Sequence, residues 1–333
     1  MPSPVAYNIK RNYDFQSVEW HTRILLNMNG HMWEGCIGDI IDEIFLNSEF
    51  TSKTQRYTGQ IDEQFNYQNH YADIINILDL GWRIHTTNEE GISMWRGVSQ
   101  IIRHPLYTGL IKVKLKSGRE VTATTGVSFV MRREGTDILT AINGSELKVG
   151  DHLPVVWKMS LPTIHRQSII INEGVKLDYN LGKIIGEFLY KSKEFPHHLK
   201  FLNHYCYSDR GIEKKIPNFS YNAPDEFVIS LFGEFKFENE DEKIIIIEGE
   251  RLTDGTIALL SRFNIFTTKK KVKDEWLVQI VTPEETFRDV VFDQILEIEE
   301  MKTNTYVYDL TVKGTAVFNT LTGNVMFDSS LIK

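Results

Sequence analysis

Cysteine is scarce in this chain, with only Cys36 and Cys206 among 333 residues. Two thiols cannot build a disulfide framework, so a packed core has to hold the fold, and a reducing, cytoplasmic setting is expected. Apolar runs of about 18 residues, the length that crosses a bilayer, are also lacking, so no membrane-spanning helix is expected. The opening Met1-Pro2-Ser3-Pro4-Val5-Ala6-Tyr7 has no basic stretch ahead of an apolar one, which argues against a secretory leader. Positive charge is in deficit, with 37 Lys and Arg against 45 Asp and Glu, a net of −8. Proteins that live on phosphate contacts carry a basic face, so nucleic-acid binding is not the expected main business. The one dense basic cluster, Lys269-Lys270-Lys271, reads as a solvated turn.

Core-forming material is ample. A hydrophobic content of 41% with 25% charged residues is that of a globular protein, and the length allows two or three compact units. Residues 1–16 have no sustained period and read as a tail. Arg23–Leu26 is a short β run closed by the turn-like Asn27-Met28-Asn29-Gly30. Apolar residues at 37, 40, 41, 44 and 45 have helical spacing and predict a short amphipathic helix. Residues 47–71 are rich in Thr, Ser, Gln and Asn and read as a loop, with a natural break point there if the chain is made in two pieces.

From Ile74 to Ser160 the texture is β. Leu110–Lys116 alternates apolar and basic residues and ends in a Ser-Gly turn, the pattern of a half-buried strand. Val121–Thr124 and Phe129–Met131 read as strands, and Leu147–Val155 as a turn at Gly150 between two strands. After Pro162 the pattern changes. Residues 181–189, 224–235 and 251–263 look helical, and Lys243–Glu248 has a buried-strand pattern. Beyond Val281 the chain returns to β, at 290–293, 295–298 and two terminal runs. A β unit is thus interrupted by an α+β unit and then resumed.

Two serines stand at matching places near the chain ends. Ser17 precedes Thr22-Arg23-Ile24-Leu25-Leu26, and Ser329 follows Asp328 after the runs Tyr306–Val312 and Gly323–Phe327. With these, Gly118-Arg119-Glu120-Val121-Thr122-Ala123-Thr124-Thr125-Gly126-Val127-Ser128 and Leu147–Val155 complete four segments in order. Together they resemble the sequence blocks of inteins. The resemblance implies a mainly β, horseshoe-shaped Hint (hedgehog/intein) fold built from 17–165 and 285–328. An α+β insert would span 166–284, and flanks of a host protein would be residues 1–16 and 329–333. The insert resembles a LAGLIDADG homing endonuclease, with Leu181–Gly186 like the first helix of that family and Phe227–Phe235 like the second. The two acids which that family needs for metal fall on Lys191 and Phe235, so DNA cleavage is expected to be absent and DNA binding weak. Glu187 and Glu234 lie one turn off and read as a solvated helix face. The joined flanks, Asp14-Phe15-Gln16-Ser329-Ser330-Leu331, resemble a stretch of family B DNA polymerases, which would make such a polymerase the host.

Under that resemblance Ser17 attacks the carbonyl of Gln16, Ser329 takes the acyl group, and the residue at 328 releases the excised piece. The partners are the chain's own flanking exteins, and a monomer is expected, with no cofactor and no metal. Holding the groups in one molecule can supply about 7–11 kcal/mol of alignment. A serine hydroxyl needs a base, yet the histidines of the family blocks fall on Val127, Ala316 and Phe327, and the usual final Asn is Asp328. An ionised Asp328 would cyclise less readily than Asn, so C-terminal cleavage is expected to be slow or blocked. The replacement bases are His21, four residues from Ser17, and His104, at a strand end before Pro105; each can equally be an ordinary surface or packed histidine. Thr124 and Thr125 offer hydroxyls to the scissile unit, and Asp309 is an orienting acid or a turn partner. A folded but unreactive precursor is the competing outcome.

Overall fold

The computed structural model describes residues 17–328 apart from 59–70, 134, 137, 162–169, 172–174, 209–210, 240 and 304. The readings of residues 1–16 and of Ser329 onward, including the host flanks, fall outside the described residues.

The chain is mainly β, with the Hint-like architecture expected. One antiparallel path runs through ten strands in the order His152–Val156, Val290–Met301, Leu110–Leu115, Glu120–Thr124, Val18–Glu19, Tyr306–Val312, Ser93–Pro105, Trp82–Thr87, Arg23–Met28 and His31–Cys36. The two-residue strand Val18–Glu19 therefore lies mid-path. Val18 pairs with Tyr308 on one side and Ala123 on the other. Strands contributed by residues 18, 123 and 308 are brought side by side, so the backbone just after Ser17 is covered on both edges. A second sheet joins Leu139–Ile142, Phe129–Arg132, Val325–Phe327 and Val317–Asn319 in that order.

Burial follows the patterns in the sequence. The helix Ile37–Leu46 buries Ile37, Ile40, Ile41, Ile44 and Phe45 against the strand core, as its spacing predicts. Expected strands at 110–115 and 120–124 form with a turn at 116–119. Residues 290–293 and 295–298 are one long strand with a bulge between Ile295 and Glu297. Two expectations need correction. The polar stretch 47–71 is not wholly loop, since Ser48–Thr51 is a helical turn and Gln55–Thr58 pairs with Tyr71–Asn76. Lys269–Lys271 is not a turn either; it lies in the strand Phe266–Val272, which turns Lys269 inward to Asp254 at 2.7 Å.

Residues 175–281 carry the helices Tyr179–Lys191, Asp225–Phe232 and Glu250–Ser261 on a four-stranded sheet. The first two helices cross closely. A Cβ at Gly182 would lie 2.2 Å from the Phe227 carbonyl oxygen, so only glycine allows that approach. Beyond the crossing, Lys191 Nζ is 2.6 Å from Glu234 Oε2. Glu234 is thus buried and paired, not on a solvated face as its position suggested, because the crossing carries it against the end of the first helix. Glu187 does lie on the exposed side, paired with Lys193. Among the described residues no helix is long and apolar enough to cross a membrane.

Candidate functional site: two chain ends in one buried cleft

Ser17 is 1% exposed and held from three directions. Its carbonyl accepts the Thr124 amide at 2.9 Å, continuing the strand pairing of Val18. Its own amide N–H, the nitrogen of the Gln16–Ser17 bond, points at the hydroxyls of Thr124 (3.3 Å) and Ser128 (3.2 Å). Those two oxygens are 2.7 Å apart, so one donates to the other. The Ser17 hydroxyl lies 2.8 Å from His104 Nε2.

His104 is buried at the far end of the strand Ser93–Pro105, with Val307 opposite it. Its other ring nitrogen, Nδ1, is 2.7 Å from the Pro105 carbonyl oxygen. A carbonyl only accepts, so Nδ1 carries the proton and Nε2 of the neutral ring is left as an acceptor for the Ser17 hydroxyl. Tyr107 stacks on the ring at 5.6 Å and 7° between planes, which fixes its orientation.

The other chain end reaches the same place. Phe327 donates its amide to the Ser128 carbonyl at 3.1 Å, so one residue touches both ends, the first by side chain and the second by backbone. Asp328 follows, wholly buried. Its amide donates to the Ala316 carbonyl, and its Oδ2 accepts the Val312 amide at 2.7 Å. Its Oδ1 has no partner among the described residues. Burial pushes the Asp328 carboxyl well above the usual carboxylate range, and the neighbouring Asp309 raises it further. The group therefore holds its proton to higher pH than an ordinary aspartate, whereas the sequence suggested an ionised carboxylate. Asp309 is fully buried inside the strand Tyr306–Val312, where its Oδ1 accepts the Leu310 amide, so the turn alternative for it is excluded.

The structure brings Ser17, His104, Thr124, Asp309 and Asp328 into one buried region. It does not bring His21 there. That side chain is 75% exposed on the turn after Val18–Glu19, with its ring 3.8 Å from Glu19 and edge-on to Trp20. The turn carries it outward while the strand pairing pulls Ser17 inward. Thr125 makes no hydrogen bond to Ser17; it packs beside Gly109, its amide donating to the Gly109 carbonyl. Sequence reasoning did not single out Ser128. Its only signal was proximity to Val127, where the family histidine is expected; in the bend between Glu120–Thr124 and Phe129–Arg132 it is Ser128 that is buried against Ser17, while Val127 is half-buried. Among the described residues no group of three His, Cys, Asp or Glu side chains could hold a metal ion.

A family model described as the intein splicing domain matches residues 37–327. The chain is 30% identical over 265 residues to the DNA-directed RNA polymerase subunit Rpo1C of Methanocaldococcus jannaschii, covering 56% of this chain and 30% of that protein. It is 26% identical over 353 residues to transcription initiation factor IIB of the same organism, covering 91% of this chain and 48% of that one. The chain thus spans less than half the length of these curated relatives. Among solved structures, the transcription factor IIB Mvu mini-intein aligns with a TM-score of 0.44 at 14% identity, over 94% of this chain and 100% of that one. The PabCDC21-1 intein aligns with a TM-score of 0.43 at 12% identity, over 93% and 98%. The chain belongs to the intein splicing domain family and is a self-splicing intein, embedded between flanking exteins.

Proposed function

We propose that splicing starts at Ser17 with His104 as its general base. The Ser17 hydroxyl gives its proton to His104 Nε2 and attacks the Gln16 carbonyl carbon. The bond from that carbon to the Ser17 nitrogen breaks as the nitrogen takes a proton, and an ester replaces the amide. The Ser329 hydroxyl then displaces the Ser17 oxygen from the acyl group. Cleavage after Asp328 frees the Ser329 amine, which takes the acyl group from its own oxygen and joins Gln16 to Ser329. Residues 17–165 and 285–328 form the splicing unit on this reading, and 166–284 the insert.

The observation that supports this reading most is the 2.8 Å contact from the Ser17 hydroxyl to His104, with Ser128 linking Ser17 to Phe327, the neighbour of Asp328. Asp328 in place of the usual Asn makes the last cleavage the slow step, because a carboxyl lacks the amide nitrogen that closes the ring. In the insert, the two positions where a nuclease needs acids hold Lys191 and Phe235, and Lys191 is ion-paired with Glu234, which favours an insert without cleavage chemistry. The test is the mass of the purified full chain followed over time. Slow appearance of residues 1–16 joined to 329–333, with release of 17–328, supports the reading. A mass unchanged after prolonged incubation, in the parent and in Asp328→Asn alike, would leave an unreactive intein-like precursor.

A further inference from the structure

We infer that Ser128 is a catalytic residue of the first step, with Thr124 beside it, as an acceptor cradle for the nitrogen that leaves. The inference rests on Ser17 being the nucleophile and adds a group that neither the family match nor the sequence pattern assigns.

Both hydroxyl oxygens face the Ser17 nitrogen, at 3.2 and 3.3 Å, and each is buried. In the resting amide that nitrogen is nearly neutral, and its single N–H is shared between two acceptors at the long end of the hydrogen-bond range. When the Ser17 oxygen adds to the Gln16 carbonyl carbon, the nitrogen of the tetrahedral intermediate is no longer an amide and becomes basic. It takes the proton that His104 removed from the hydroxyl, so that it carries a positive charge and two N–H bonds while the former carbonyl oxygen carries the negative charge; the C–N bond then breaks and leaves a neutral amine. The atoms balance within this set: one O–H and one C–N bond are lost, and one C–O and one N–H bond are gained. The charged nitrogen of the intermediate has one hydrogen for each oxygen, and hydrogen bonds from a charged donor are shorter and about twice as strong as those from a neutral one. The pair is therefore matched to the charged intermediate more than to the starting amide, which is the condition for accelerating the step. The 2.7 Å contact between Thr124 and Ser128 holds both oxygens in place before the reaction. The backbone of Ser128 anchors the Phe327 amide independently of its side chain.

The experiment measures hydroxylamine cleavage between Gln16 and Ser17, which reports the ester, in the full chain carrying Asp328→Asn so that C-terminal cleavage can be followed in the same sample. Ser128→Ala is expected to slow hydroxylamine cleavage by about 10- to 100-fold, from loss of one hydrogen bond to a charged group. Release after residue 328 is expected to keep its rate, because the Ser128 carbonyl remains. Ser128→Thr is expected to restore the first rate. Equal hydroxylamine cleavage in parent and Ser128→Ala overturns the inference, and so does a parallel fall at both junctions, the mark of a merely structural role. If Ser128→Ala does not fold, Ser128→Cys carries the comparison, since sulfur is of similar shape and a weak acceptor; a rate equal to serine then overturns it. No hydroxylamine-sensitive bond in the parent itself would instead remove the assignment of Ser17.

Discussion

At the scale of single residues, the chemistry depends on two side chains whose behaviour burial dictates. His104, the proposed base, sits between an accepting carbonyl on one side and the Ser17 hydroxyl on the other. His104→Ala is expected to lower ester formation by about 100-fold or more, the usual contribution of a positioned base. His21→Ala, on the exposed turn, is expected to leave it unchanged. Both follow from hydroxylamine cleavage rates. Asp328 leads to a prediction about pH. Its folded-state pKa lies above the unfolded value, so the folded chain keeps a proton that the unfolded chain has lost. Stability from this group is therefore full below the unfolded carboxyl pKa and falls as pH rises toward the folded one, by up to about 1.4 kcal/mol per pH unit. Asp328→Asn is expected to gain stability over the parent as pH rises from 5 to 8 in denaturant titrations, and to release residue 329 onward faster. A stability difference independent of pH would contradict the raised carboxyl pKa. None of this was legible from residue type alone. The sequence offered two histidines and two threonines on equal terms, and only strand pairing, which turns alternate residues to opposite faces, decides which of them point into the cleft.

At the scale of elements, periodicity carried most of the information. Helical spacing at 37–45 and 181–189 and alternation at 110–115 became a helix, a helix and a strand because each pattern has one face to bury. Composition misled where tertiary contacts outweigh it. Polar residues near 55–58 join a strand edge, and Lys269 enters a buried ion pair that no local pattern announces. The close crossing of the helices Tyr179–Lys191 and Asp225–Phe232 yields another test. Gly182→Ala would force a methyl group against the Phe227 carbonyl and the Ser230 hydroxyl. It is expected to cost about 1–3 kcal/mol in unfolding experiments, as overpacking does. A neutral result would show that the helices can part without penalty.

On the scale of the whole molecule, residues 175–281, the insert of the proposed division, are tied closely to the strands around them. Arg119, at the turn between Leu110–Leu115 and Glu120–Thr124, is fully buried, which pushes its pKa down to about 10; it donates to the Thr267 carbonyl and to the Thr322 carbonyl near the C-terminal end. Gly118 lies so close to the insert that a Cβ there would meet the Lys269 carbonyl oxygen at 1.9 Å. Arg23 pairs with Asp254, and Arg251 with Glu34. The apolar core around the insert helices also takes in Leu25, Met32 and Leu321 from outside it. Replacing 175–281 by a short linker would take from Arg119 its Thr267 acceptor, from Arg23 and Glu34 their ion-pair partners, and from Leu25, Met32 and Leu321 their apolar cover, each large apolar side chain so exposed costing about 1.5–3 kcal/mol. The shortened chain is expected to unfold or aggregate and not to splice, as read by soluble yield and mass; splicing at the parent rate would contradict that coupling. The two-part order of textures was visible in the sequence. The wiring between the parts was not, because partly buried ion pairs join residues more than 200 positions apart.

The most direct measurement is the mass spectrum of the full chain after hydroxylamine, with Ser17→Ala alongside. If the Ser17 hydroxyl forms an ester with the Gln16 carbonyl, the parent breaks at that one bond, leaving a hydroxamate on Gln16, and Ser17→Ala stays whole. Cleavage at that bond in both chains, or in neither, would contradict the account.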